Sequence, residues 1–245
     1  MILKKILRNV FVLVSLVSTP LLAQNKLHVY LFPGQGSDYR IFDSLIWDNN
    51  VDTTIISYGT PAEGMSMKAF AETLIPRIDT TEQFALVGVS LGGMICAELS
   101  ELIEPKLTII ISSAKNSREL PMRYNFQKVL PIYSIFPCFL LTTGARLMQP
   151  VLEPATRKNK TTFKSMLKQK KPLYMKRTVE MIIKWDRTNN YNKIYQIHGN
   201  KDHTIPIRNL QKPYYVISSG SHMMTLTQAN EVSGLLKKII LEHNI

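Results

Sequence analysis

The apolar positions of this chain fall into short runs separated by polar turns that carry glycine and proline. Leu27-His28-Val29-Tyr30-Leu31-Phe32 reads as a buried strand ending at Pro33-Gly34-Gln35-Gly36. Thr53 to Tyr58 forms a second β-rich run, stopped by Gly59-Thr60-Pro61. Over 66–76, Met67, Phe70, Leu74 and Ile75 recur at helical spacing. Phe84-Ala85-Leu86-Val87 is a third strand running into Gly88, and Met94 to Leu102 continues as a helix. Leu107 to Ile111 is apolar apart from Thr108, as an interior parallel strand would be. Ile194 to Ile197 and Tyr214 to Ile217 are later strands. A closing helix over about 227–243 turns Val232, Leu235, Leu236 and Ile239 inward. Strands alternating with helices predict an α/β domain built on a mostly parallel sheet.

The rhythm breaks between Ile111 and Ile194. This stretch carries helical patterns, no clear strand, and prolines at 121, 131, 137, 150, 154 and 172. A connection of that length is a functional element or an inserted subdomain. No repeat and no Gly/Ser linker divides the chain, so one domain with an insertion over about 114–190 is expected.

The N-terminus has a different pattern. Lys4, Lys5 and Arg8 precede an apolar run from Val10 to Val17, then Ser18-Thr19-Pro20-Leu21-Leu22-Ala23 and polar Gln24-Asn25. A basic start, a short apolar middle and a small residue at the boundary describe a secretory signal peptide, residues 1–23, cleaved after Ala23. The rival reading is a retained anchor, against which stand the short run and Pro20. No cysteine follows the boundary, which argues against a lipoprotein. The mature chain, 24–245, would leave by the Sec pathway and be periplasmic or secreted. Export makes a Cys96–Cys138 disulfide feasible without requiring it. These are the only two cysteines, too few for a disulfide scaffold and without zinc-site spacing.

Composition then narrows the classes. The chain has 245 residues, 45% hydrophobic and 20% charged, enough for a sizeable core and unlike a disordered segment. Its formal charge is +12, from 30 Lys and Arg against 18 Asp and Glu. That excess suits a nucleic-acid binder, a membrane-surface protein, or an enzyme of anionic substrates. No nucleic-acid motif with aromatic and basic spacing accompanies it. The excess is local: residues 114–177 hold 14 Lys and Arg against Glu119 and Glu153, while the rest of the mature chain is slightly acidic. The inserted segment is therefore strongly basic. It is either a solvated face or a surface that steers anionic substrates or meets an anionic membrane.

The chemistry centres on Gly88-Val89-Ser90-Leu91-Gly92-Gly93, between an apolar strand and an apolar helix. A sharp strand-to-helix turn strains its serine and requires tiny residues two positions to either side, here Gly88 and Gly92. It presents the Ser90 hydroxyl at the carboxyl edge of the sheet, over a helix N-terminus. A glycine-rich phosphate turn is the alternative, but neither a P-loop Gly-Lys-Ser/Thr nor a GxGxxG is present at this strand. A serine hydroxyl needs a base. Of five histidines, His28 lies mid-strand, His198 at a strand end, His203 beside Asp202, and His243 near the C-terminus. His222 follows the last strand and precedes the last helix, where a base can reach Ser90. The acid that would orient it is Asp202, just after a strand on the same edge. A surface-turn aspartate is the plain alternative for it, and Asp186 is a weaker rival in the insertion.

The order Ser90, Asp202, His222 is that of the α/β-hydrolase superfamily, and the chain resembles a small secreted member across the mature sequence. Phe32-Pro33-Gly34-Gln35-Gly36-Ser37 resembles that family's His-Gly-x-Gly oxyanion loop, with Pro33 in place of the histidine. His198-Gly199-x-x-Asp202-x-x-x-Pro206 resembles its acid loop, and Gly220-x-His222-Met223 its histidine loop. The resemblance implies an α/β-hydrolase fold with a helical lid formed by the insertion. It also implies an oxyanion hole made of the Gln35 and Leu91 backbone N–H groups. The apolar stretch Val129 to Leu141 would line an acyl pocket or form lid core. The implied activity is hydrolysis of carboxylic esters or thioesters of small molecules through an acyl-enzyme, with no metal or organic cofactor. A lipase, a peptidase or a C–C hydrolase would use the same residues, and a non-catalytic binding protein on this fold is the alternative from another class.

Overall fold

A computed structural model describes residues 26–131 and 157–243. The signal-peptide segment, Cys138 and most of the Val129–Leu141 run lie outside those residues. The strands are β1 (Leu27–Phe32), β2 (Val51–Ile55), β3 (Phe84–Val89), β4 (Leu107–Ile111), β5 (Tyr195–Gly199) and β6 (Tyr215–Ile217). They form one sheet in the order β2-β1-β3-β4-β5-β6, parallel at every pairing.

The core explains why β1, β3 and β4 read as near-continuous apolar runs, broken only by His28 and Thr108. Tyr30, Phe32, Leu86 and Ile110 face one side, and Val29, Leu31, Val87, Ile109 and Ile111 the other, so both faces are covered. Helices α1 (Met67–Glu72) and α2 (Leu91–Leu102) cover the first face, where Trp185 is also buried. The last helices, α6 (Met224–Thr227) and α7 (Ala229–Leu241), cover the second through Met224, Val232, Leu236, Ile239 and Ile240. The numbering of α3, α4 and α5 belongs to the insertion: Met122–Val129, Arg157–Lys168 and Pro172–Ile183, all between β4 and β5.

Three boundaries differ from the sequence expectation, each for a physical reason. β2 starts two residues earlier and stops at Ile55, because its register is set by β1, with Leu27 opposite Val51 and Leu31 opposite Ile55. The helix expected over 66–76 ends at Glu72 and resumes as a 3-10 turn over Ile75–Arg77, which contains Pro76. Helix α2 begins at Leu91 rather than Met94, because Gly92 and Gly93 lie inside its first turn instead of in a loop.

The insertion is pinned at its root by buried polar groups. Glu119 is fully buried; its carboxylate accepts from the Lys115 and Gln211 backbone N–H groups at 2.7 and 2.8 Å, and from Gln196 Nε2 at 3.1 Å. At the far end, Trp185 Nε1 donates to Glu98 Oε1 at 2.6 Å. The buried carboxylates of Glu119 and Glu98 thus both have donors, as burial demands.

Candidate active site

Two chain segments meet where the strand order changes direction, between β1 and β3. In open parallel sheets such a switch leaves a crevice at the carboxyl ends of the strands. The loop after β1 brings Gly34 so near that a methyl there would sit 3.3 Å from Ser90 Cβ. Ser90 itself follows β3 directly.

Ser90 has φ 53° and ψ −119°, a conformation that costs a non-glycine residue about 1–3 kcal/mol. Its surroundings hold it there. The Ser90 N–H donates to Ile111 O at 3.0 Å, and Ser113 Oγ donates to Ser90 O at 2.6 Å. The turn closes because its neighbours lack side chains. A Cβ on Gly88 would lie 2.4 Å from the Gly92 backbone, and one on Gly92 would lie 2.0 Å from Phe32 O.

The structure brings Ser90, His222 and Asp202 together from three loops. Ser90 Oγ is 2.9 Å from His222 Nε2, and His222 Nδ1 is 2.8 Å from Asp202 Oδ2. An ionised carboxylate only accepts, so Nδ1 carries the hydrogen and Nε2 is left to accept from the serine hydroxyl. Asp202 is itself tightly held. Its Oδ1 accepts from the Thr204 and Ile205 N–H groups, each at 2.8 Å. His198, fully buried, places Nε2 2.8 Å from Ile205 O and 3.3 Å from Asp202 Oδ2. Burial pushes the Asp202 carboxyl up, but His222 and His198 beside it outweigh that, and it is held well below the usual carboxylate range.

The other candidates sit elsewhere. Asp186 is exposed in the segment after α5, and His203 is exposed. His28 pairs with Thr54 Oγ1 at 2.8 Å, and His243 with Tyr195 OH at 2.6 Å. Cys96 is a buried free thiol in α2. Leu91 contributes its N–H at the first position of α2, and Gln35 lies in the loop after β1; neither backbone N–H has a hydrogen-bond acceptor among the described residues. Two such unpaired donors flanking a serine can stabilise an oxyanion.

A cavity of about 250 Å³ opens beside Ser90 and His222. The insertion forms much of its wall: Phe163 and Leu167 from α4, Met175 and Ile182 from α5, and Tyr124 from α3. Met94 from α2, Met223 beside His222, and Ile41, Val89 and Ile205 add to the apolar part. No charged side chain is among its described lining residues. Much of the apolar wall thus comes from α4 and α5, which spacing alone did not single out; Val129 and Leu130 of the expected run are exposed. Among the described residues, no cluster of His, Cys, Asp and Glu could hold a metal ion, and no helix is long and apolar enough to cross a membrane.

The sequence matches no protein-family model and no curated protein. Solved structures do match. A thermophilic esterase from Thermogutta terrifontis shares 13% identity, covering 90% of this chain and 92% of that one at a TM-score of 0.64. MenH from S. aureus shares 15%, covering 90% and 95% at 0.65. A structure from a study of carboxylesterases of the thaumarchaeon Nitrososphaera gargenis shares 10%, covering 90% and 92% at 0.66. Overlap of that extent, with a strained serine at the end of β3 and a helical excursion after β4, leads to one conclusion: the chain has the α/β-hydrolase fold.

Proposed function

We propose that this protein is a serine hydrolase that cleaves carboxylic ester, or thioester, bonds of small molecules through an acyl-enzyme. The observation that carries the reading is the continuous relay from Ser90 Oγ to His222 to Asp202 at 2.9 and 2.8 Å. Ser90 Oγ attacks the acyl carbonyl while His222 Nε2 takes its proton. The carbonyl electron pair moves to oxygen, where the Gln35 and Leu91 N–H groups receive the charge. Collapse expels the alcohol or thiol, which takes the proton from His222. Water, deprotonated by His222, then releases the acid and restores Ser90. Asp202 fixes the imidazole tautomer and offsets its charge throughout. The chemistry draws on these side chains and the backbone alone.

The cavity favours an uncharged, apolar acyl group, since its described lining offers methionine, leucine, isoleucine and phenylalanine and no countercharge. The similarity to esterase structures supports the same class. Export rests on the pattern of residues 1–23, and fractionation of expressing cells with N-terminal sequencing tests it.

The decisive experiment is labelling with a fluorophosphonate, followed by a p-nitrophenyl ester series from acetate to decanoate. Labelling at Ser90 is expected, with activity peaking at short to medium chains. Ser90→Ala should lower kcat by roughly 10⁵ to 10⁶-fold. A binding protein without turnover would leave background hydrolysis equal in both forms, and that result would end the enzymatic reading.

A further inference from the structure

The loop after β1 is held by the lid at its most important residue. Gln35 Nε2 donates to Thr178 Oγ1 at 2.7 Å and to Met175 O at 3.2 Å, both in α5 and some 140 residues away in sequence. Thr178 is fully buried, and its own hydroxyl hydrogen is engaged with Tyr174 O at 2.8 Å. Thr178 Oγ1 therefore has only a lone pair to offer, and Met175 O can only accept. Both positions demand N–H donors, so the amide nitrogen and not its oxygen must face α5. The side chain of Gln35 is thus fixed at both hydrogens. Its backbone N–H has no acceptor among the described residues, and Gln35 borders the cavity beside Ser90. A second tether holds the same loop: Arg40, paired with Asp38, donates to Ser165 Oγ in α4 at 2.7 Å.

We propose that Thr178 is a positioning residue, which through the Gln35 amide holds the Gln35 backbone N–H aimed at the oxyanion. This rests on the serine-hydrolase reading above. A backbone donor in a loop is useful only if it stays in place as charge develops, because preorganisation is what makes such donors effective. Displacement by a fraction of an ångström is costly to the transition state and nearly neutral to the ground state. The lid helix would then be part of the catalytic scaffold and not only a cover.

The test compares Thr178→Val, Thr178→Ser and Gln35→Leu on p-nitrophenyl butyrate, with active sites counted by fluorophosphonate labelling. Thr178→Val should lower kcat per labelled site about tenfold or more, with KM changed less than about twofold. Affinity for a trifluoromethyl ketone should fall by the same factor as kcat/KM, since that inhibitor forms the oxyanion. Thr178→Ser keeps the oxygen and should recover activity to within about twofold. Gln35→Leu keeps the backbone N–H but loses the tether, so it should match Thr178→Val, and the double variant should be no worse than either. If Thr178→Val fails to fold, the Gln35→Leu result decides. Unchanged kcat in the folded single variants, or loss in Thr178→Ser equal to that in Thr178→Val, overturns the proposal while leaving the hydrolase reading intact. Failure of the wild-type protein to label or turn over overturns both.

Discussion

On the proposed mechanism, Asp202 would set both the chemistry and the pH response of the site. Two backbone N–H groups donate to its Oδ1 and His222 Nδ1 to its Oδ2, while His198 Nε2, bonded to Ile205 O, lies 3.3 Å from Oδ2. Burial pushes its carboxyl up, but the two imidazoles of His222 and His198 outweigh that and hold it low. A folded-state pKa below the unfolded value of about 3.9 contributes stability that is fully present above that value. The contribution is lost as pH falls further, through the folded pKa. Asp202→Asn replaces an acceptor by a group that also donates, and favours the wrong His222 tautomer. We expect kcat to drop on the order of 10⁴-fold, the scale known for triads of this kind. Urea unfolding should find the variant less stable at pH 7, with the gap narrowing only below about pH 4. A gap that stayed constant down to pH 3 would mean that Asp202 ionisation does not couple to folding.

At the scale of elements, the serine turn depends on what is missing from its glycines. A methyl on Gly92 would meet Phe32 O at 2.0 Å and Pro33 O at 2.7 Å, both backbone atoms that cannot step aside. Gly92→Ala should cost about 3 kcal/mol or more in chemical denaturation. Gly234 provides the contrast: it lies inside α7 with open space around a built methyl, so Gly234→Ala should stabilise by about 0.5–1 kcal/mol. Equal effects at the two positions would refute the packing argument. The strands β1 and β4 were legible because burial on both faces leaves a near-continuous apolar run, and Ser90 was legible because the turn dictates its neighbours. What spacing could not convey is contact across the chain. The Gln35–Thr178 tether joins residues 143 positions apart, and the α4 and α5 walls of the cavity exist only once the insertion folds back over β1 and β3. One local signal was present. Thr178 stands on the same buried stripe of α5 as Tyr174, Met175, Met181 and Ile182, and a polar residue on an apolar stripe implies a specific partner.

Across the whole molecule, charge and chemistry are kept apart. Residues 114–177 carry 14 Lys and Arg against two acids, yet the described lining of the cavity holds no charged side chain. Among the described residues, no Lys or Arg side chain borders the cavity beside Ser90. Lys164, Lys168 and Lys171 are exposed on or beside α4 and α5. The nearby α3 adds exposed Met122, Phe126, Val129 and Leu130, so the insertion presents apolar surface as well as positive charge. Those two features together suit an anionic membrane surface better than a soluble anion, which would use the charge alone. Each lysine near such a surface contributes about 1 kcal/mol, so replacing three by glutamine should weaken vesicle binding roughly a hundredfold. Co-sedimentation with vesicles containing phosphatidylglycerol, at low and physiological salt, measures this directly. Turnover of a neutral soluble ester by the triple variant should stay within about twofold of the wild-type rate, because no lysine is among the described residues lining the cavity. Vesicle binding that survives the triple substitution would show that the basic insertion is only a solvated face, and a matching fall in soluble turnover would show that its field reaches the reacting atoms.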